Sequence, residues 1–127
     1  SATPIVGPDR KSKRDNHSNQ NFQHEGKQLR AFLASQQRTF VICGDRHWQY
    51  ASKDPTTGLR EWCCGPTSDK HAGGFRPSDR TDMHSYLKIC GGFLHVLVQE
   101  NEGKAKLVLR HYDPRGAITH EDVLGDQ

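Results

Sequence analysis

The feature that most constrains the fold of this chain is a run of three apolar-alternating segments near its end, GGFLHVLVQ, AKLVLRHY and AITHEDV, joined through ENEG and DPRG. Connections this short that end in glycine join antiparallel neighbours and leave no room for a crossover helix. Residues 90–123 are therefore predicted to form a β-meander. Such a sheet buries at least one face. The order of a helix, one strand and then many strands predicts a largely antiparallel sheet with a helix on one side, its other face requiring a partner layer.

The segments upstream read less regularly. Residues 1–20 hold Pro4, Gly7 and Pro8 and then the charged run DRKSKRDNHSNQ without periodicity, which predicts a long exposed loop. Over 21–37, Leu29, Phe32 and Leu33 fall on one helical face, and Asn19 or Asn21 can cap the start, so an amphipathic helix is expected. Within 38–63, RTFVIC reads as a short buried strand and QYASKDPTTGLREWCC as a hairpin turning at DPTTG. Residues 64–89 are rich in Gly, Pro, Ser and Asp and are expected to form a long loop. The fold class is α/β.

Composition narrows the function classes. At 127 residues the chain is one domain's worth, yet only 32% of it is hydrophobic, and adding its 12 glycines still leaves it below the roughly 45–50% apolar usage of globular domains. A part of something larger has this composition, and a start at Ser1 rather than Met fits a processed or partial chain. The net charge of +3 points to no nucleic-acid surface and leaves a small anionic substrate open. No window approaches the ~18 apolar residues of a membrane span, and the N-terminal residues lack the apolar core of a signal peptide. Cys43 and Cys90 lie beside apolar runs and read as buried free thiols. Cys63 and Cys64 are adjacent, and without a C-x-x-C spacing neither a zinc knuckle nor a redox pair is supported.

The stretch CGDRHWQY, after TFVI, carries the densest chemistry. Gly44 can adopt φ > 0 and let the chain turn, which would aim Asp45 and His47 at one volume. A carboxylate oxygen and an imidazole nitrogen suit a borderline metal ion, and a metal-bound hydroxide is an effective nucleophile toward phosphorus. Arg46 between them can neutralise a phosphate. The same tetrapeptide also reads as an exposed turn closed by an Asp–His hydrogen bond. Asp15, Asn16, His17 and His24 can reach a ligand over the strand end, and CGPTSDKHAGG adds Ser68, Asp69 and His71.

Taken in order, TPIVGPDRKSKRDNHSNQNFQHEGKQLRAFL, VICGDRHWQYASKDPTTGLREWCCGPTSDKHAGG, GGFLHVLVQ and LRHYDPRGAITHED resemble the C-terminal part of PhoD-like alkaline phosphatases and phosphodiesterases, within the calcineurin-like metallophosphoesterase superfamily. The resemblance implies the C-terminal half of a four-layer α/β/β/α sandwich whose strand-end loops hold two or more metal ions. It places the family's Gly, Asp or His, any residue, His motif on Gly44, Asp45, Arg46 and His47. Asp45 and His47 would then ligate metals, and His17 or His24 would contact the phosphate or protonate the leaving group. The metals implied are iron with calcium, with zinc or manganese as alternatives. The substrate implied is a phosphomonoester or phosphodiester, and the compartment extracytoplasmic.

The resemblance also departs from the family. The ligands that the superfamily supplies from its N-terminal half have no counterpart here, and the Asn-His pair of DNHSN sits in a charged loop and is not read as one of them. The chain is thus expected to be one part of a hydrolase, completed by an N-terminal half or a second chain. The alternative is a non-catalytic β-rich module that binds a phosphorylated ligand or a partner through an exposed sheet face.

Plainer roles are expected for the remaining candidates. Asp69 and His71 read as exposed turn residues. His84, His95, His111 and His120 lack metal spacing, with His95 and His111 expected on a solvated strand face. Trp48, Tyr50 and Trp62 read as core, and KSKR as a solvated loop. A chain that contributes about one sheet would expose an apolar face and sheet edges, so aggregation or dimerisation is expected.

Overall fold

Asp54 organises the hairpin from which the first sheet grows. Its carboxylate accepts the Thr56 amide at 2.9 Å and its carbonyl the Gly58 amide at 2.8 Å, and Gly58 supplies the left-handed backbone (φ 77°) that this turn needs. The turn pairs β2 (Gln49–Lys53) with β3 (Arg60–Cys63), placing Tyr50 opposite Cys63 and Ser52 opposite Glu61. The computed structural model describes residues 1–125 and contains one α-helix and two sheets, a mixed α/β arrangement.

β1 (Val41–Cys43) joins β3 in parallel, and β4 (His84–Lys88) joins β2 on the other side, giving the order β1-β3-β2-β4. β4 lies where the sequence predicts only loop. HSYLK is short, and Tyr86 and Leu87 face opposite sides, so no apolar stripe announces it.

The meander forms as the turn spacing requires: β5 (Phe93–Asn101), β6 (Lys104–Tyr112) and β7 (Ile118–Leu124) make an antiparallel sheet in that order. It is a separate sheet, not a continuation of the first. Its inner residues Leu94, Val96, Leu107, Leu109 and Leu124 pack on Ala51, Trp62 and Tyr86. The partner layer that the first sheet requires is therefore supplied by the chain itself.

Polar groups fix how the two sheets meet. Trp62 Nε1 donates to Asp122 Oδ2 at 2.8 Å and Arg60 to Asp122 Oδ1 at 2.9 Å. Gln49 Nε2 donates to the carbonyls of Gly91 and Tyr112, while its Oε1 accepts from Tyr86. His111, expected on a solvated face, is fully buried here, with Nε2 2.9 Å from the Cys63 carbonyl and its ring against Tyr86. Alternation alone could not say which face of the meander was inner. His95 is exposed, as expected.

The opposite face of the first sheet is covered by residues expected to be loop. Glu61, wholly buried, accepts the amides of Ile5, Val6 and Gly7 at 2.7, 3.0 and 2.8 Å, and Val6 packs with Val41 and Leu59. A carboxylate met by three successive N–H groups is well solvated without water. That contact runs across more than fifty residues of sequence and cannot be read locally.

A 3-10 turn (Gln20–Phe22) leads into α1 (Gln23–Ser35). Neither Asn19 nor Asn21 caps it; Asn19 Oδ1 instead accepts the amides of Asp15 and Asn16. Nor does a Leu–Phe stripe dock it, since Phe32 is 62% exposed and Leu33 only partly buried. The helix docks through Gly26, where an added Cβ would fall 2.2 Å from the His17 carbonyl, and through Arg30, which reaches the carbonyls of Ile5 and His17 and pairs with Asp54 at 3.0 Å.

Candidate functional site

β1 ends at Cys43, and the chain turns immediately after it. The residue with left-handed backbone is Asp45 (φ 66°), not Gly44 as the sequence suggests. Asp tolerates this conformation better than most residues with a side chain, because its short polar group can bond locally. Here that bond goes to Arg46, whose Nη2 lies 2.5 Å from Asp45 Oδ2.

Arg46 turns inward. Its side chain is 2% exposed and also meets Asp9 at 3.2 Å and Asp15 at 3.3 Å. Asn16 Nδ2 ties those two carboxylates together, donating to Asp9 Oδ2 and Asp15 Oδ1. One guanidinium and one amide thus gather three aspartates from two distant segments. A buried arginine needs such partners, and its charge is engaged within the protein. The structure therefore gives Arg46 a positioning contact that pins the N-terminal segment to the corner.

The third segment is the CGPTSDKHAGG loop. The Gly91 amide donates to Asp69 Oδ1, and the Gly73 amide to the carbonyl of His47 at 2.9 Å. Arg10 bridges the opposite side, donating to the Gly74 carbonyl and lying 4.9 Å over the Trp48 ring. Together these segments wall a cleft of about 550 Å³ lined by Arg10, Lys13, Lys70, His47 and His71 along with Asp15, Asp45 and Arg46. Buried Trp48 also lines the cleft, Tyr50 lies in the core cluster with it, and Trp62 is buried on the opposite face of the sheet against the meander.

The charges of the cleft are uneven. Asp15 and Asp45 are held by Arg46, and Lys13 approaches Asp15 at 3.8 Å. The side chains of Lys70, His47 and His71 are exposed, and among the described residues they make no hydrogen bond or ion pair. These are the groups available to a ligand. Asp69 and His71 are exposed as the sequence indicates, yet His71 and Lys70 line the cleft. Their position beside Gly73 and Gly74 is the one sequence signal that could have marked them.

The structure brings Asp45 and His47 into this cleft and leaves His17 and His24 outside its walls. His17 lies 3.8 Å from Glu25, and His24 faces Gln28 on the helix surface. Among the described residues no three His, Cys, Asp or Glu side chains come close enough to hold one metal ion. Asp45, already bonded to Arg46, and His47 offer two donors rather than a coordination set, so these residues alone do not fit a metal centre. No helix among the described residues is long and apolar enough to cross a membrane. Compared with known proteins, the chain matches no family model and no curated protein.

Proposed function

We propose that the cleft at the end of β1 binds a phosphoester anion, and that the chain is the C-terminal portion of a metal-dependent phosphoester hydrolase resembling the PhoD-like enzymes. The observation that carries this reading is the set of unpaired donors, Lys70, His47 and His71, gathered beside Arg10 at a strand end. Arg10 is held by the Trp48 ring, by Asp9 at 3.5 Å and by the Gly74 carbonyl, so its remaining donor edge is presented without having to be ordered by the ligand. Lys70 adds a mobile point charge, and each histidine can donate a hydrogen bond to a phosphoryl oxygen.

In a four-layer sandwich of that family, a further layer would cover the second sheet. Exposed Phe93, Ile118 and Val123 on its outer side support that reading. An N-terminal half or a second chain would supply the remaining ligands. The metals that the resemblance implies for such a completed site are iron with calcium, or zinc or manganese.

The chain should show saturable shifts of the His47 and His71 ring resonances on titration with inorganic phosphate and with bis(p-nitrophenyl) phosphate, and Arg10→Gln with Lys70→Gln should abolish them. Unmoved resonances sink the reading. In a longer chain from the same source, metal-dependent hydrolysis should be lost in an Asp45→Asn, His47→Ala variant. Phosphate binding without hydrolysis in that longer chain under any of these metals would favour the second reading, a non-catalytic module, which the incomplete donor set supports.

A further inference from the structure

Cys43 and Cys63 are the last residues of β1 and β3, and they are direct partners in the parallel ladder. Adjacent strands lie about 4.7–4.9 Å apart, within the roughly 4.4–6.8 Å between Cα atoms that a disulfide spans. Both side chains point to the same face and belong to one cluster with Tyr50, Trp48 and Phe75. The Cys43 sulfur lies 3.3 Å from the Tyr50 hydroxyl, and the Cys63 thiol donates to the Gly44 carbonyl at 3.8 Å. The Cys64 amide donates to the Cys43 carbonyl at 3.2 Å, so the register is held beyond the pair as well.

We propose that Cys43 and Cys63 are an oxidation site, closing to a disulfide that joins the roots of the two cleft walls. Cys43 immediately precedes the 44–47 corner, and Cys63 the 64–74 loop. A bond between them would fix how far those segments part, whatever the cleft binds. With a low-molecular-weight disulfide such as oxidised glutathione as oxidant, one cysteine thiolate attacks a glutathione sulfur and releases the first glutathione thiolate. The second cysteine thiolate then displaces the other. Two protein thiols become one disulfide, two reduced glutathiones leave, and the cysteine protons pass through solvent to the departing thiolates.

Access sets the rate. The two cysteines are 2% and 0% exposed, so exchange waits for the corner or the loop to open. Cys64 and Cys90 are the two competitors. Cys64 is adjacent in sequence and partly exposed, and Cys90 belongs to neither the ladder nor the cluster.

The test uses the full chain carrying Cys64→Ser and Cys90→Ala, incubated folded with oxidised glutathione, alkylated, digested without reduction and mapped by mass spectrometry. The expected product is a peptide linking Cys43 to Cys63, two hydrogen masses lighter than the free pair and reversed by dithiothreitol. The oxidised chain should melt roughly 5–15 °C higher than the reduced one. Recovery of both cysteines as alkylated or singly glutathionylated, without the link, overturns the proposal. The parent chain is mapped in parallel and answers the same question if the double variant does not fold: a link between Cys63 and Cys64 in place of the cross-strand one is equally fatal.

Discussion

Tyr50 donates its phenolic hydrogen bond to Glu61 Oε1 at 2.7 Å, in a site where both residues are wholly buried. The same carboxylate receives three amides of the N-terminal segment. Removing the acceptor is therefore far costlier than removing one donor. Glu61→Ala should lose at least about 3 kcal/mol, since each orphaned donor costs about 1–3 kcal/mol, whereas Tyr50→Phe should lose about 1 kcal/mol. Urea denaturation measures both. Hydrogen exchange at residues 5–7 should accelerate in Glu61→Ala alone, and equal losses in the two variants would refute this account.

The corner at Asp45 makes a conformational prediction. Its φ of 66° disfavours any side chain without a local hydrogen bond, so Asp45→Ala should be about 1 kcal/mol less stable than Asp45→Gly, both variants lacking the same carboxylate beside Arg46. Gly44→Ala should be tolerated, because an added Cβ would meet only the Ala2 carbonyl, at 3.7 Å. Comparison of the three denaturation midpoints checks the ordering; a Gly44→Ala variant worse than Asp45→Ala would contradict it.

His111 makes stability depend on pH. Burial lowers its pKa from 6.5 to about 4, so the folded chain holds it neutral while the unfolded chain takes up a proton near 6.5. Stability is then full above that value and falls as pH drops from 6.5 toward 4, by about 3 kcal/mol. Buried His84, lowered as well, adds in the same direction. Burial works to raise Asp122, but hydrogen bonds from His120 and Trp62 and the Arg60 charge outweigh it, so its stabilisation persists through this window and is lost only at lower pH. Urea midpoints at pH 7 and 4.5 should differ markedly less in His111→Gln than in the parent; an unchanged difference rejects the assignment.

Asp122 is the point at which the two sheets are tied. Asp122→Ala leaves Trp62 Nε1 and Arg60 without their shared acceptor and should cost about 2–4 kcal/mol. Trp62→Phe leaves Asp122 its bonds to Arg60 and His120 and should cost less. Near-ultraviolet circular dichroism of Trp62 during titration with urea would show whether its environment is lost with the rest of the fold.

How much of this was legible follows from the distance over which each signal acts. The β2–β3 hairpin and the meander are written in turn residues a few positions apart, and both are present. The core roles of Trp48, Tyr50 and Trp62 follow from size and hydrophobicity. What stayed hidden depends on partners far along the chain. Glu61 reads as an ordinary charged strand residue until Ile5, Val6 and Gly7 are beside it, and His111 as a solvated one until Tyr86 covers it. At the candidate site, Asp45 and His47 are visible as a spacing, whereas Arg10, Lys70 and His71 become a set only when three loops meet. Arg46 looks available to a ligand because sequence cannot show Asp9 and Asp15 closing over it.

The strap across Glu61 also orders events in time. Residues 5–7 leave the ribosome long before their acceptor does, and Asp122 follows its partners Arg60 and Trp62 by about sixty positions. Neither face of the first sheet can be sealed by neighbours in sequence. Acquisition of the native state is thus dominated by distant pairings, which places the chain among slow folders. The half-made sheet, with both faces bare, is the species that a chaperone would meet.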